Sequence, residues 1–250
     1  MKYIESNQNP RVKKWKKLLT KKEREQSGQF LVEGFHLVEE ALTNKLVDEL
    51  IIRMDTDLPL KWDLESTEIY QVTDEIFSSI TDTETPQGVV AVCKQPNFQM
   101  DINKMTHLLL IDRVQDPGNI GTMIRTADAA GFNAVILGEG CADLYSPKVV
   151  RSTQGSLFHL PIIKGSLAKW ITKLKESDMH VLGTALQGAV PYREMEQPNR
   201  FALLMGNEGS GVSDELLRMT TQNVYIPILG KSESLNVAVA AGILMYGLRK

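Results

Sequence analysis

Apolar positions in this chain follow two periods that alternate along its length. Short runs such as Leu108 to Ile111, Ala134 to Leu137 and Phe201 to Met205 are continuously apolar, as strands buried on both faces are. Between them, apolar residues recur three and four positions apart, the spacing of a helix with one buried face.

The first hundred residues predict a small α/β unit. Val12, Trp15, Leu18 and Leu19 lie at helical spacing. Phe30 to Gly34 predicts a strand, and Phe35 to Thr43 a helix with Leu37, Val38, Ala41 and Leu42 on one face. Further strands are predicted at Val47 to Arg53, Ile69 to Val72 and Gly88 to Val92, with a short helix at Asp74 to Ser79. Gln95-Pro96-Asn97 and the polar stretch to Lys104 break the pattern, which puts a domain boundary near residue 100.

The second part alternates more regularly. After the strand at Leu108 to Ile111, Asn119 reads as the cap of a helix ending at Gly131. Ser146-Pro147 opens a short helix, with proline at its tolerated first position. A helix over Ser166 to Lys175, strands at His180 to Thr184 and Val224 to Ile228, a helix capped by Ser213 through Met219, and a last helix over Leu235 to Leu248 complete the series. Strands alternating with helices predict a mainly parallel sheet covered on both faces.

At 250 residues, 42% of them hydrophobic, the chain can bury a core without staples. Cys93 and Cys141 are far apart and form neither a CxxC pair nor a zinc spacing, which fits a reducing compartment. Met1 to Ser6 lacks an apolar leader core, and no apolar stretch approaches the roughly 20 residues that span a bilayer. The expectation is a cytoplasmic protein without a membrane partner.

The net charge of −3 hides an asymmetry. Residues 1–24 carry nine Lys or Arg against Glu5 and Glu23, a net of +7, which leaves −10 on the other 226 residues. Such a basic arm predicts contact with a polyanion, and its loss is expected to weaken nucleic-acid binding and flatten its salt dependence. An amphipathic helix with a solvated lysine face accounts for the same residues, and the two readings are compatible.

Three polar turns follow apolar strands: Asp112-Arg113-Val114-Gln115-Asp116-Pro117-Gly118-Asn119, then Gly206-Asn207-Glu208-Gly209-Ser210-Gly211, then Ile226-Pro227-Ile228 leading to Ser234-Leu235-Asn236. In an open α/β sheet ligands bind at that end of the strands, so three such turns predict one composite site. The glycine-rich turn is neither a Walker loop nor a GxGxxG fingerprint. The helix after it begins Ser213-Asp214-Glu215, whose carboxylates would repel a phosphate. A neutral or cationic ligand fits better. Local explanations stand beside these: Asn119 and Ser234 as helix caps, and Arg125 paired with Asp128 three residues on. His36, His107, His159 and His180 form no metal-like grouping, and no GxSxG elbow is present.

In this order the motifs resemble the SpoU (TrmH) family of RNA ribose 2′-O-methyltransferases, within the SPOUT class. The resemblance covers about residues 105–248. The preceding unit is similar to the small L30e-like RNA-binding domain that many members carry, on Glu33-Gly34 and Thr85-Pro86-Gln87-Gly88. The resemblance implies a basic arm plus L30e-like substrate-binding domain over 1–100 and a knotted α/β trefoil methyltransferase domain over 101–250. It also implies a homodimer and S-adenosyl-L-methionine as methyl donor; no metal is expected, since the histidines form no metal-like grouping. Carried over by motif, the reactive cluster is Asn119, Arg125, Glu208, Ser234 and Asn236. Donor contacts fall on Thr184, Ala185, Leu186, Gly206, Asn207, Gly211, Ile226, Ile228 and Leu235. A guanidinium resists deprotonation, so Arg125 is expected to bind the target phosphate and stabilise developing alkoxide charge, with Glu208 orienting it.

The activity expected is methylation of a ribose 2′-hydroxyl in ribosomal RNA. Transfer RNA is the nearest alternative substrate, and a silent RNA-binding or ribosome-assembly protein is an alternative of another class. A nicotinamide-binding Rossmann enzyme is disfavoured by the missing GxGxxG and acidic partner.

Overall fold

The computed structural model describes residues 1–65 and 67–249. Contacts divide the chain into two compact units. One comprises Met1–Asn97 with Asp143–Phe158, and the other Phe98–Ala142 with His159–Lys250.

The first unit contains β1 (Lys2–Ile4), α1 (Pro10–Lys17), α2 (Lys21–Ser27), β2 (Gln29–Glu33), α3 (Phe35–Thr43), β3 (Val47–Arg53), β4 (Glu68–Val72), α4 (Asp74–Ser78) and β5 (Val89–Lys94). Its five-stranded sheet has the order β1-β4-β3-β5-β2. The basic segment is not a free arm. β1 pairs in parallel with β4, and α1 and α2 are separate helices, each with its own side-chain cap, Asn9 and Thr20. Val12, Trp15 and Leu18 lie in the core with Ile51, Tyr70 and Val90. Trp15 donates its indole N–H to Glu49 at 2.6 Å.

The charge of this segment is largely paired within the unit. Lys2 meets Glu68 at 2.8 Å, Arg11 meets Glu49 and Glu68 at 3.1 and 3.2 Å, and Lys21 meets Glu25 at 3.7 Å. Arg24, expected on a solvated face, is buried and bonded to Asp143 at 2.6 Å. Lys13, Lys17 and Lys22 stay exposed and have no partner among the described residues.

The two motifs singled out near Gly34 and Gln87 meet. Gly34 has a φ of +96° and no capping side chain of its own. The Gln87 side-chain oxygen Oε1 accepts from the Phe35 N–H at 3.0 Å and supplies the missing cap of α3.

The second unit begins with a short 3-10 turn, Ile102–Lys104, then β6 (His107–Ile111), α5 (Pro117–Ala129) and β7 (Ala134–Leu137). The chain then supplies α6 (Pro147–Thr153) to the first unit, where Tyr145 and Phe158 pack on Phe30. It continues with β8 (Ile162–Lys164), α7 (Leu167–Glu176), β9 (His180–Thr184), β10 (Val190–Pro191), β11 (Phe201–Met205), α8 (Asp214–Met219), β12 (Gln222–Tyr225) and α9 (Val237–Gly247). The seven strands run in the order β10-β12-β9-β11-β6-β7-β8, and each pairing is parallel.

The sequence missed β1, β8 and β10. They are two or three residues long and exist by edge pairing, with no hydrophobic period of their own. The core beneath the sheet is formed by Leu108, Leu110, Ile136, Val181, Ala202 and Leu204 against helices α7 and α8. From β6 the chain first runs outward through β7 to β8, then returns to the other side of β6. The β6–β11 border is therefore the topological switch point of the sheet, at whose carboxyl ends open α/β sheets bind ligands.

Candidate active site

The turns after β6, β11, β9 and β12 all leave the same edge of the parallel sheet, because these strands are neighbours. Each sequence-predicted residue can be placed from there.

Asp116, not Asn119, caps α5: its carboxylate accepts from the Asn119 N–H at 2.8 Å, and Pro117 takes the first helical position. Proline cannot donate, so the helix starts earlier than the Asn119 reading implied. Asn119 then stands at the third position with its side chain free to reach elsewhere. Its Nδ2 donates to Glu208 Oε1 at 3.1 Å. Its Oδ1 accepts from Asn236 Nδ2 at 3.0 Å. Asn236 is in turn the cap of α9, accepting from the Ala238 and Val239 N–H groups at 2.9 and 3.2 Å. Ser234 does not cap that helix. It lies exposed two residues ahead, and its carbonyl accepts from the Ser232 hydroxyl.

Glu208 also accepts from the backbone N–H groups of Gln115 and Asp116 at 3.3 and 3.1 Å, and from Asn207 Nδ2 at 3.3 Å. Burial works against its ionisation, but the Asn119 amide and the backbone N–H groups of Glu208, Asp116 and Gln115 outweigh burial. They hold the carboxyl below its usual range. Glu208 therefore locks the first turn onto the glycine-rich turn. It does not orient Arg125, which is exposed and makes no hydrogen bond or ion pair with any described residue. Helix geometry explains this: six residues along α5 place Arg125 about 120° around the axis from Asn119. The local pairing with Asp128 is also absent, since Asp128 faces His159 at 3.7 Å.

The glycine-rich turn is built around Asn207. Its N–H and C=O pair with Gly211 at 3.0 Å each, its Oδ1 accepts from the Gly209 and Ser210 N–H groups, and its Nδ2 donates to the Arg113 carbonyl at 2.8 Å. Gly206 sits where a Cβ would lie 2.1 Å from the Gly211 carbonyl carbon and the Val212 nitrogen, so only glycine fits. Gly211 has a φ of +69° with open space around it.

Of the other predicted donor contacts, Thr184 ends β9 with its hydroxyl on the Leu204 carbonyl at 3.0 Å, and the Ala185 N–H bonds to Val224 at 3.2 Å. Ile226 is half-buried. Leu186, Ile228 and Leu235 are exposed. The edge thus combines backbone groups, glycines and exposed apolar side chains with no lysine or arginine on the glycine-rich turn. That chemistry suits a nucleoside carrying a sulfonium cation better than a polyphosphate. Among the described residues no cluster of His, Cys, Asp and Glu could hold a metal, and no helix is long and apolar enough to cross a membrane.

Sequence reasoning treated Asp112 only as a flank of the first turn. It is buried, and it accepts from the Ser213 N–H at 3.0 Å and from the Arg113 guanidinium at 3.1 and 3.2 Å. A polar residue closing an apolar strand was the available signal.

Comparison with known proteins places the whole chain. The model of the SpoU rRNA Methylase family matches residues 106–246, and that of the MRM3-like substrate binding domain matches residues 9–91. The chain is 51% identical over 251 aligned residues to the 23S rRNA (guanosine(2553)-2′-O)-methyltransferase RlmP of Bacillus subtilis (strain 168), covering 100% of both. Among solved structures it resembles an AdoMet-bound rRNA methyltransferase from Sinorhizobium meliloti, with a TM-score of 0.87 and 32% identity over 99% of this chain and 97% of the other. It also resembles the SpoU methyltransferase AviRb from Streptomyces viridochromogenes in complex with AdoMet, with a TM-score of 0.86 and 31% identity over 96% and 97%.

Proposed function

The chain belongs to the SpoU rRNA methylase family, and from that premise we propose that it methylates a ribose 2′-hydroxyl of 23S ribosomal RNA. The methyl donor is S-adenosylmethionine. We assign the acceptor to the guanosine that the Bacillus relative methylates, on the strength of 51% identity that extends through the substrate-binding part. Transfer RNA, the alternative left open by the motifs, loses ground for the same reason.

One observation carries the reading: the unbroken chain of hydrogen bonds Glu208–Asn119–Asn236, which joins three turns far apart in sequence. When bound, the donor supplies an electrophilic methyl group. The protein's part is to hold the ribose oxygen in line with it, and positioning of this kind can supply most of an acceleration. Glu208 has its lone pairs engaged and acts as the anchor of the first turn. Arg125, exposed and without a partner among the described residues, is the residue for the target phosphate and for charge developing on the ribose oxygen. Ser234, Leu235 and the turns after β9 and β12 complete the walls. Lys13, Lys17 and Lys22 supply the RNA-facing charge of the first unit.

The finer points of architecture belong to the same proposal. We assign the second unit a trefoil knot, supported by α9 returning from the far side of β9 to pack on α5. We assign a homodimer to the face of α9 that carries Val239 and Tyr246, 52% and 60% exposed at a seven-residue spacing. A cytoplasmic site of action fits the unpaired Cys93 and Cys141.

The test is 2′-O-methyl mapping of 23S rRNA from cells with and without the gene, paired with methyl transfer by the purified protein to unmodified rRNA. Loss of one guanosine methyl in the cells and its restoration in the tube is expected. An unchanged 23S pattern with transfer to tRNA alone would move the substrate assignment.

A further inference from the structure

We infer that Asp112 is a positioning residue for the methyl donor, acting through the glycine-rich turn without touching the donor itself. The inference rests on the reading that residues 206–211 receive the donor. Both ends of that turn are pinned to a single two-residue step at the end of β6. At one end Asn207 Nδ2 donates to the Arg113 carbonyl at 2.8 Å. At the other the Ser213 N–H donates to Asp112 Oδ2 at 3.0 Å. Ser213 caps α8 by position, but its hydroxyl makes no capping bond. The buried Asp112 carboxylate instead accepts from the N–H of Ser213 itself and so ties the start of α8 to another strand.

The step itself is held in an unusual conformation. Arg113 has a φ of +53°, in the left-handed region that non-glycine residues rarely occupy. In that conformation its guanidinium folds back on the neighbouring carboxylate, with Nε on Oδ1 at 3.1 Å and Nη2 on Oδ2 at 3.2 Å. Asp112 therefore holds two things at once: the turn of Arg113 that presents its carbonyl to Asn207, and the start of α8 where the glycine-rich turn ends. Without it the turn keeps its internal Asn207–Gly211 pairing but loses its fixed position on the sheet edge. The donor would then meet a mobile cradle and have to order it on binding, which lowers affinity. Chemistry with the donor in place would be little changed.

The experiment uses the full-length protein, with calorimetric donor binding and steady-state kinetics on unmodified 23S rRNA. Asp112→Ala is expected to raise the donor Kd and donor KM about tenfold, with kcat within about threefold and the RNA KM unchanged. Asp112→Asn keeps an acceptor for Ser213 and is expected to fall between. Ser213→Pro deletes the same N–H at a residue whose φ is already −65°, the value proline requires. It should weaken donor binding by no more than Asp112→Ala does, and the double variant should be no weaker than Asp112→Ala, because that substitution already removes the Ser213 tie. Circular dichroism establishes that the variants fold, and should Asp112→Ala not fold, Ser213→Pro alone decides. Unchanged donor affinity, or a loss confined to kcat, overturns the inference. Failure of the wild-type protein to bind donor overturns the underlying reading and the inference with it.

Discussion

Asn236 Nδ2 donates to Asn119 Oδ1 across 3.0 Å, while Asn236 Oδ1 caps the last helix and Asn119 Nδ2 reaches Glu208. One amide thus serves a helix end and a site side chain together. The two roles separate by substitution. Asn236→Asp keeps the acceptor for the Ala238 and Val239 N–H groups and loses only the donor to Asn119. It should retain the wild-type melting temperature while kcat/KM drops about a hundredfold, the scale of a displaced positioning group. Asn236→Ala should add a stability loss of about 1 kcal/mol from the missing cap. Equal melting temperatures for Ala and Asp would disprove the capping role.

Arg125 is exposed and unpartnered among the described residues, so its replacement should leave stability alone. Arg125→Lys is expected to keep the melting temperature within a degree and to lower kcat/KM at least a hundredfold, since lysine lacks the planar fork. Near-normal turnover in this variant would remove the phosphate-and-alkoxide role.

Glu208 has its carboxyl held below the ordinary range, so its contribution is present above the unfolded value of about 4.3 and lost as pH falls through the lower folded value. Glu208→Gln places an amide NH2 against backbone donors, and because Glu208, Gln115 and Asp116 are exposed and water can take up those donors, it should cost no more than about 1 kcal/mol at neutral pH. That stability gap to wild type should stay constant from pH 8 to about 5 and narrow below about pH 4. Denaturant titrations across pH measure it, and a gap that closes by pH 6 contradicts the hydrogen-bond account.

Two glycines of one turn should respond differently. Gly206→Ala drives a methyl into backbone at 2.1 Å, which predicts a loss of about 3 kcal/mol and no measurable donor binding. Gly211→Ala meets open space and strains only a φ of +69°, at about 1 kcal/mol. Calorimetric donor binding to both variants checks the order, and reversal would mean the turn rearranges.

The first unit's basic face can be probed without unfolding it. Deleting residues 1–24 would remove β1 and the buried Trp15, and loss of a buried tryptophan alone costs about 3–5 kcal/mol. Replacing Lys13, Lys17 and Lys22 by alanine should leave stability unchanged and reduce the slope of log affinity against log salt by about 2–3. An unchanged slope on 23S rRNA fragments would take this face out of the RNA interface.

Pattern alone carried the longer elements. Val47–Arg53, Ala134–Leu137, His180–Thr184 and Phe201–Met205 were legible residue for residue; in Ala134–Leu137 and Phe201–Met205 burial on both faces makes the run continuously apolar. That the first and second turns meet at one sheet edge was legible too, from polar residues closing strands that are otherwise apolar. What misled was the assignment of polar residues one at a time. Asn119 and Ser234 each looked like a sufficient helix cap, but Asp116 and Asn236 hold those positions.

The sequence by itself determined the alternation of strands and helices and the polar turns that end the strands, since hydrophobic period and turn chemistry are local properties; the passage of residues 143–158 into the first unit was not legible in it. Tertiary structure alone decided which polar groups meet. Glu208 holds Asn119 and leaves Arg125 free because strand order brings the first and second turns together while helix pitch turns Arg125 away. Likewise most of the +7 charge of residues 1–24 is spent inside the first unit, because Glu49, Glu68 and Asp143 come from distant positions. Partners so far apart in sequence leave no periodic trace, and only the packed chain chooses among them.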